Sequence, residues 1–371
     1  MAVVDGPQKA AFAVAQAQAA RALADAVPDQ HAKRLTARGV FVAVAAFIDI
    51  ARQTRTTIAK TKANRADLAV LKQALNVLAD CDWGPYRPLR DRVGAHRQPI
   101  GGADDPSSWG AANELFAQVD APLVGVLCDD MADINAELQR LTNRHAVSAP
   151  RLLPDTIASI AAAPHFQPRD GLRLATGSFG ETIANAISPV QPTAIGERLR
   201  QISDTIDGFE CYAALAPCVA GLPVFERVVV AGAIIETANM VELVFDVPAG
   251  RAADNRYAPL VDLIPPHYAE AADLRAAAAR IHPADVEWIH DLRNTAAAHI
   301  DAKPRLVDLV HRLDTTDPSR IDAVFHDVCR ALVDADDHEI TVLSPLVRLR
   351  TIALAGARRI DTPAFSTSYD G

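Results

Sequence analysis

Three dipeptides in this 371-residue chain join an arginine to an aspartate or asparagine: Arg90-Asp91, Arg169-Asp170 and Arg293-Asn294. Two of them are followed, six residues after the arginine, by a histidine. "LRDRVGAH" ends on His96 and "LRNTAAAH" ends on His299. With 11 histidines in the chain, composition alone produces such a coincidence about 3 times in 1,000. The residue types suit proton transfer beside an anionic group. A histidine changes charge near neutral pH and can take or give a proton. An arginine fork can hold the anion and stabilise charge as it develops. The Asp or Asn can orient its neighbours through hydrogen bonds.

Six residues along a helix correspond to about 9 Å of rise and a net turn of about 240°. Arginine and histidine are therefore not a same-face pair, as a surface ion pair at spacing three or four would be. In both copies the histidine stands seven residues after a leucine, Leu89 or Leu292, which sets it beside an apolar stripe. Gly94-Ala95 and Ala297-Ala298 precede it, and so small a face lets another helix approach closely. The pattern predicts a helix that presents histidine at a seam between packed elements, with the long arginine reaching round to the same opening.

The two windows resemble the R-[N/D/H]-x(4)-H signature of the HEPN superfamily, all-helical domains common in bacterial defence and toxin systems. The resemblance covers two eight-residue windows, each in a helical context of about 120–150 residues. It implies a metal-independent endoribonuclease in which two domains pair and both motifs face one cleft. Arg90, Asp91 and His96 would then meet Arg293, Asn294 and His299 within one chain, as an intramolecular pseudo-dimer. RNA carries its own nucleophile in the 2′-OH, so such cleavage needs neither metal nor cofactor. The two histidines would divide the acid and base roles, leaving a 2′,3′-cyclic phosphate and a 5′-OH. Around the first motif Arg87, Arg92 and Arg97 form a basic cluster suited to a phosphate backbone, whereas Asp291 and Asp301 flank the second. The resemblance leaves room for a regulatory or antitoxin protein as partner. Toxins of this kind that pair with a nucleotidyltransferase carry a tyrosine two residues after the histidine. Here Gln98 and Asp301 stand there, so that form of silencing is not implied.

Positioning two such motifs falls to helices. Aromatics make up only 5% of the chain and half of it is apolar, so the core must come from Ala, Val, Leu and Ile. Runs such as "FAVAQAQAARALADAV" favour helix on propensity. Apolar spacing predicts helices over 8–26, 30–61, 66–80, 88–98, 108–119 and 122–143 in the first half. In the second it predicts them over 194–208, 223–246, 268–281, 284–300, 303–313, 319–335 and 338–357. "RVVVAGAII" within 223–246 is rich enough in β-branched residues to suit a strand as well. The expectation is an all-α fold of two helical-bundle domains related by a divergent internal duplication. Residues 1–146 would form one, 147–195 a Pro/Ser-rich linker with short helices, and 196–371 the other.

Other readings follow from composition. The net charge of −9 argues against a bulk coat for nucleic acid, though not against a locally basic site. Five scattered cysteines without a CxxC pair point away from a disulfide framework or zinc site and toward a reducing cytoplasm. The alanine-rich N-terminus is broken by Asp5, Lys9, Arg21 and Asp25, unlike a signal peptide. No apolar run reaches the ~18 residues of a membrane span. "GSFGE" at 177–181 lacks the nearby carboxylate pair of a nucleotidyltransferase and reads as a loop. Trp83, Tyr86 and Trp288 could stack bases but suit core anchoring better. His282 and His290 could join the second site, although "IHP" at 281–283 reads as a helix start. The acidic run from Asp334 to Glu339 reads as a solvated helix junction.

Overall fold

The computed structural model describes residues 6–26, 30–60, 65–87, 119–144, 194–245, 258–264, 266, 269–298 and 305–335. Among them the fold is all-α, with no strand. Six of the nine residues named for the two motifs and the basic cluster, Arg90, Asp91, Arg92, His96, Arg97 and His299, lie outside the described residues. So do "GSFGE" and the expected helices at 88–98 and 338–357.

The first half contains α1 (Gly6–Ala26), α2 (Gln30–Ala59), α3 (Arg65–Asn76) and α4 (Ala121–Arg144). Helix α1 is buried nearly all round because α2, α4 and a later helix, α6 (Pro223–Val244), pack against it. Ala10, Ala13, Ala17, Ala19 and Ala20 are closed off there, interleaved with Phe12 and Leu23. Alanine is the residue for such a place: it costs no rotamer entropy in a helix and lets neighbours come close. Helix α4 begins at an Asp120 cap, whose carboxylate accepts from the Leu123 N–H at 2.8 Å. It buries Val124, Leu127, Met131, Ile134, Leu138 and Leu141 at spacings of three and four. The leucines predicted for 66–80 behave similarly, with Leu71, Leu75 and Leu78 in the core.

In the second half, α5 (Ala194–Val219) and α6 (Pro223–Val244) pack extensively on one another. They are followed by α7 (Leu260–Leu263), α8 (Ala269–Ala278), α9 (Pro283–Leu292), α10 (Leu306–Asp314) and α11 (Pro318–Ala335). Helix α6 settles the ambiguity of "RVVVAGAII" as helix. It is buried on every side, touching α1, α5, α9, α10 and α11, which is why its sequence shows no polar face. No described helix is long and apolar enough to cross a membrane.

Helix α5 runs past the predicted end at 208 to Val219. Gly208 is not a terminator: a Cβ there would run into the Glu236 carboxylate on α6. Gly232 on α6 plays the reciprocal part, since a Cβ there would collide with the Tyr212 ring on α5. Two glycines thus let the central helices approach. The halves meet where α1 packs on α6 and α2 on α5. Across this seam Arg38 of α2 donates to Glu236 of α6 at 2.9 Å, with only 4% and 2% of the two side chains exposed.

Candidate functional site

The described part of the second motif, 292–298, lies at the end of α9. His282 caps that helix, its Nδ1 accepting from the Ala284 N–H at 3.2 Å, and Pro283 takes the first helical position, where a missing N–H costs nothing. At Arg293 the helix widens into a π turn, π2 (Arg293–Ala297), closed by the Ala298 N–H donating to the Arg293 carbonyl at 2.8 Å. Widened turns of this kind are rare and concentrate at functional sites. A second one, π1 (Val77–Asp82), extends α3 shortly ahead of the first motif and is closed by the same five-residue bond, from Trp83 N–H to the Leu78 carbonyl at 2.8 Å.

In π2 the Arg293 side chain turns inward and is 3% exposed. Its Nη2 donates to Glu242 Oε1 on α6 at 2.7 Å and its Nε donates to Asn294 Oδ1 at 3.3 Å. The remaining guanidinium nitrogen, Nη1, is buried and has no hydrogen-bond partner among the described residues. The Asn294 side chain itself is exposed. His290, one turn earlier, brings Nδ1 to 3.6 Å from the same Glu242 oxygen, an ion pair whenever the ring is protonated. The junction thus gathers a guanidinium with a spare donor, an imidazole, an exposed amide and one shared carboxylate.

From outside, α10 secures the turn. Arg312 Nη1 donates to Thr295 Oγ1 at 2.9 Å and to the Asp291 carboxylate, while Thr295 Oγ1 donates to the Asp291 carbonyl at 2.6 Å. Ala296, Ala297 and Ala298 are buried, as a slim face packed closely on α6 requires.

Of the residues expected to act, Arg293 and Asn294 are adjacent and bonded to one another. Arg87, the described member of the basic cluster, is exposed at the end of the short 84–86 turn. His290 shares Glu242 with Arg293, whereas His282 is occupied as a helix cap. Trp83 is a core anchor: it is buried and stacked on Phe41, with ring centroids 5.6 Å apart. Trp288 is half-buried under the Arg320 guanidinium, which lies 4.1 Å from its ring centroid. Asp334 pairs with Arg280 at 2.9 Å.

Sequence reasoning missed Glu242. The available signal was a lone acid in the apolar stretch "NMVELVF"; a charge is seldom buried in such a helix without a partner. The same signal marks Glu236 in "AIIETANM". Among the described residues no three His, Cys, Asp or Glu side chains stand together in a way that could hold a metal ion. Burial pushes the Cys128 thiol up to about 12 and the Cys329 thiol higher still, so neither is a nucleophile near neutral pH. No protein-family profile, curated protein or solved structure matches the chain.

Proposed function

We propose that this protein is a metal-independent endoribonuclease whose site is assembled from two HEPN-like motifs, acting in a defence or toxin–antitoxin response. The observation that carries the reading is the repeated Arg-[Asp/Asn]-x(4)-His sequence. The π2 turn supports it, because it departs from regular helix at the motif itself. The guanidinium of Arg293 supports it as well: one carboxylate fixes its orientation, while Nη1 keeps a donor for a phosphate oxygen. In this reading Glu242 is a positioning residue. Asn294 orients the bound strand, His299 and His96 exchange the protons, and Arg87, Arg90, Arg92 and Arg97 hold the backbone.

A second reading rests on a specific observation too. Arg293 is nearly enclosed and its charge is balanced by Glu242, which also suits a helical scaffold that binds RNA or a protein without cleaving. Single-stranded RNA incubated with purified protein in EDTA separates the two. The nuclease reading expects fragments ending in 2′,3′-cyclic phosphate and 5′-OH, lost in His96→Ala and in His299→Ala. Folded protein that leaves RNA intact, with affinity unchanged by Arg90→Ala, would establish the scaffold instead.

A further inference from the structure

The seam between α2 and α6 holds a cleft of about 30 Å³, partly open to one side, reached from α1 by Gln16 and from π2 by Ala297. Its walls are chiefly aliphatic, with Val42, Ala43, Val228, Ala231 and Ile235 among them, and the Arg38–Glu236 pair and Tyr212 also line it. A space of that size replaces roughly two waters, enough for the polar head of a ligand whose tail leaves through the open side. Gln16 is the informative residue. It is 7% exposed, and its amide nitrogen is shut off from solvent with no hydrogen-bond partner among the described residues. A buried amide left in that state calls for a partner of matching chemistry.

Charge narrows the class. Arg38 is already neutralised by Glu236 at 2.9 Å, so a second anion would meet the Glu236 carboxylate with no further cation among the described lining residues to offset it. A cation would meet the Arg38 guanidinium. A neutral carboxamide suits both: it offers an acceptor and donors on one carbon, pairs with the Gln16 amide in either orientation of that group, and can turn a spare N–H toward Glu236. We infer that the seam cleft is a binding site for a small primary carboxamide with a short aliphatic tail. Because Arg38, Glu236 and Ala297 come from both halves and from the motif turn, such a ligand touches the seam and π2 at once. The inference does not rest on the nuclease reading.

The probe is butyramide, observed by saturation-transfer NMR on the full chain, with butyrate as the anionic counterpart of equal shape. Butyramide is expected to bind and butyrate to bind at least tenfold more weakly. Gln16→Leu should weaken butyramide about fivefold to tenfold, the size of one lost hydrogen bond. Ala231→Leu, which fills the cleft from a half-buried position and leaves Gln16 in place, should abolish the signal and carries the test even where Gln16→Leu weakens the fold. Binding of butyrate equal to that of butyramide overturns the inference. So does a butyramide signal unchanged in Ala231→Leu, or none from the unmodified protein.

Discussion

Helix α6 carries two inward-facing glutamates, the buried Glu236 and the half-buried Glu242, each paired with an arginine, and the two pairs serve different ends. They stand six residues apart, about 9 Å along the axis and turned to different sides. Glu236 and Arg38 are sealed between the halves, and Gly208 leaves room for the carboxylate. Glu242 and Arg293 sit nearer the surface, with the glutamate 16% exposed, His290 beside it and the exposed Asn294 following at once. The first pair fixes how α2 lies on α6. The second fixes one turn of backbone and leaves a guanidinium donor unspent. Identical chemistry is architectural where both partners are enclosed, and suited to a site where a rim stays open.

The largest effect belongs to the enclosed pair. Glu236→Ala leaves the Arg38 charge buried and should cost about 3–5 kcal/mol in urea unfolding, whereas replacing both partners together, Arg38→Met with Glu236→Leu, should recover most of it. A loss below about 1 kcal/mol for Glu236→Ala would mean that the pair is solvated and the contrast false. At the open pair, Glu242→Gln keeps the shape and weakens the bond to Arg293. It should cost about 1–3 kcal/mol of stability and, through a misplaced arginine, about tenfold to a hundredfold in RNA cleavage. Equal cleavage with lowered stability would make this pair as purely architectural as the first.

A third interior carboxyl calibrates both. Burial pushes Glu210 on α5 up to about 7. Its folded pKa lies above the unfolded one, so its contribution to stability is fully present below pH ~4.5 and is lost as pH rises through 7. Glu210→Gln should therefore stabilise the protein at pH 8.5 by up to about 3 kcal/mol and have little effect at pH 4.5. Thermal unfolding at the two pH values reads this directly. A pH-independent effect would place the carboxyl in water.

Much of the helical frame was legible because apolar spacing reports burial. The periodic leucines of α3 and the stripe of α4 gave their helices to within a few residues. The expected helix end at 208 fell short of Val219, and the packing that surrounds Gly208 there comes from Glu236, 28 positions later in the chain, which local spacing does not report. The candidate site was half legible. Arg293 and Asn294 stand together on a turn apart from ordinary helix, but Glu242 is joined to them only by the fold, across 51 residues. The π turns also escaped periodicity, since a single widened turn leaves the flanking pattern intact.

The central claim is that the two motifs form one site, and it makes a specific demand on His96 and His299. Cleavage of one RNA oligonucleotide in EDTA should be compared for His96→Ala, His299→Ala and the double variant. In a composite site each single change should lower the rate by about 10²–10⁴-fold and the double change should lower it hardly further, because groups that act as a unit are not additive. If instead each single variant keeps about half the activity and only the double variant loses it, the motifs act separately and the composite site is wrong.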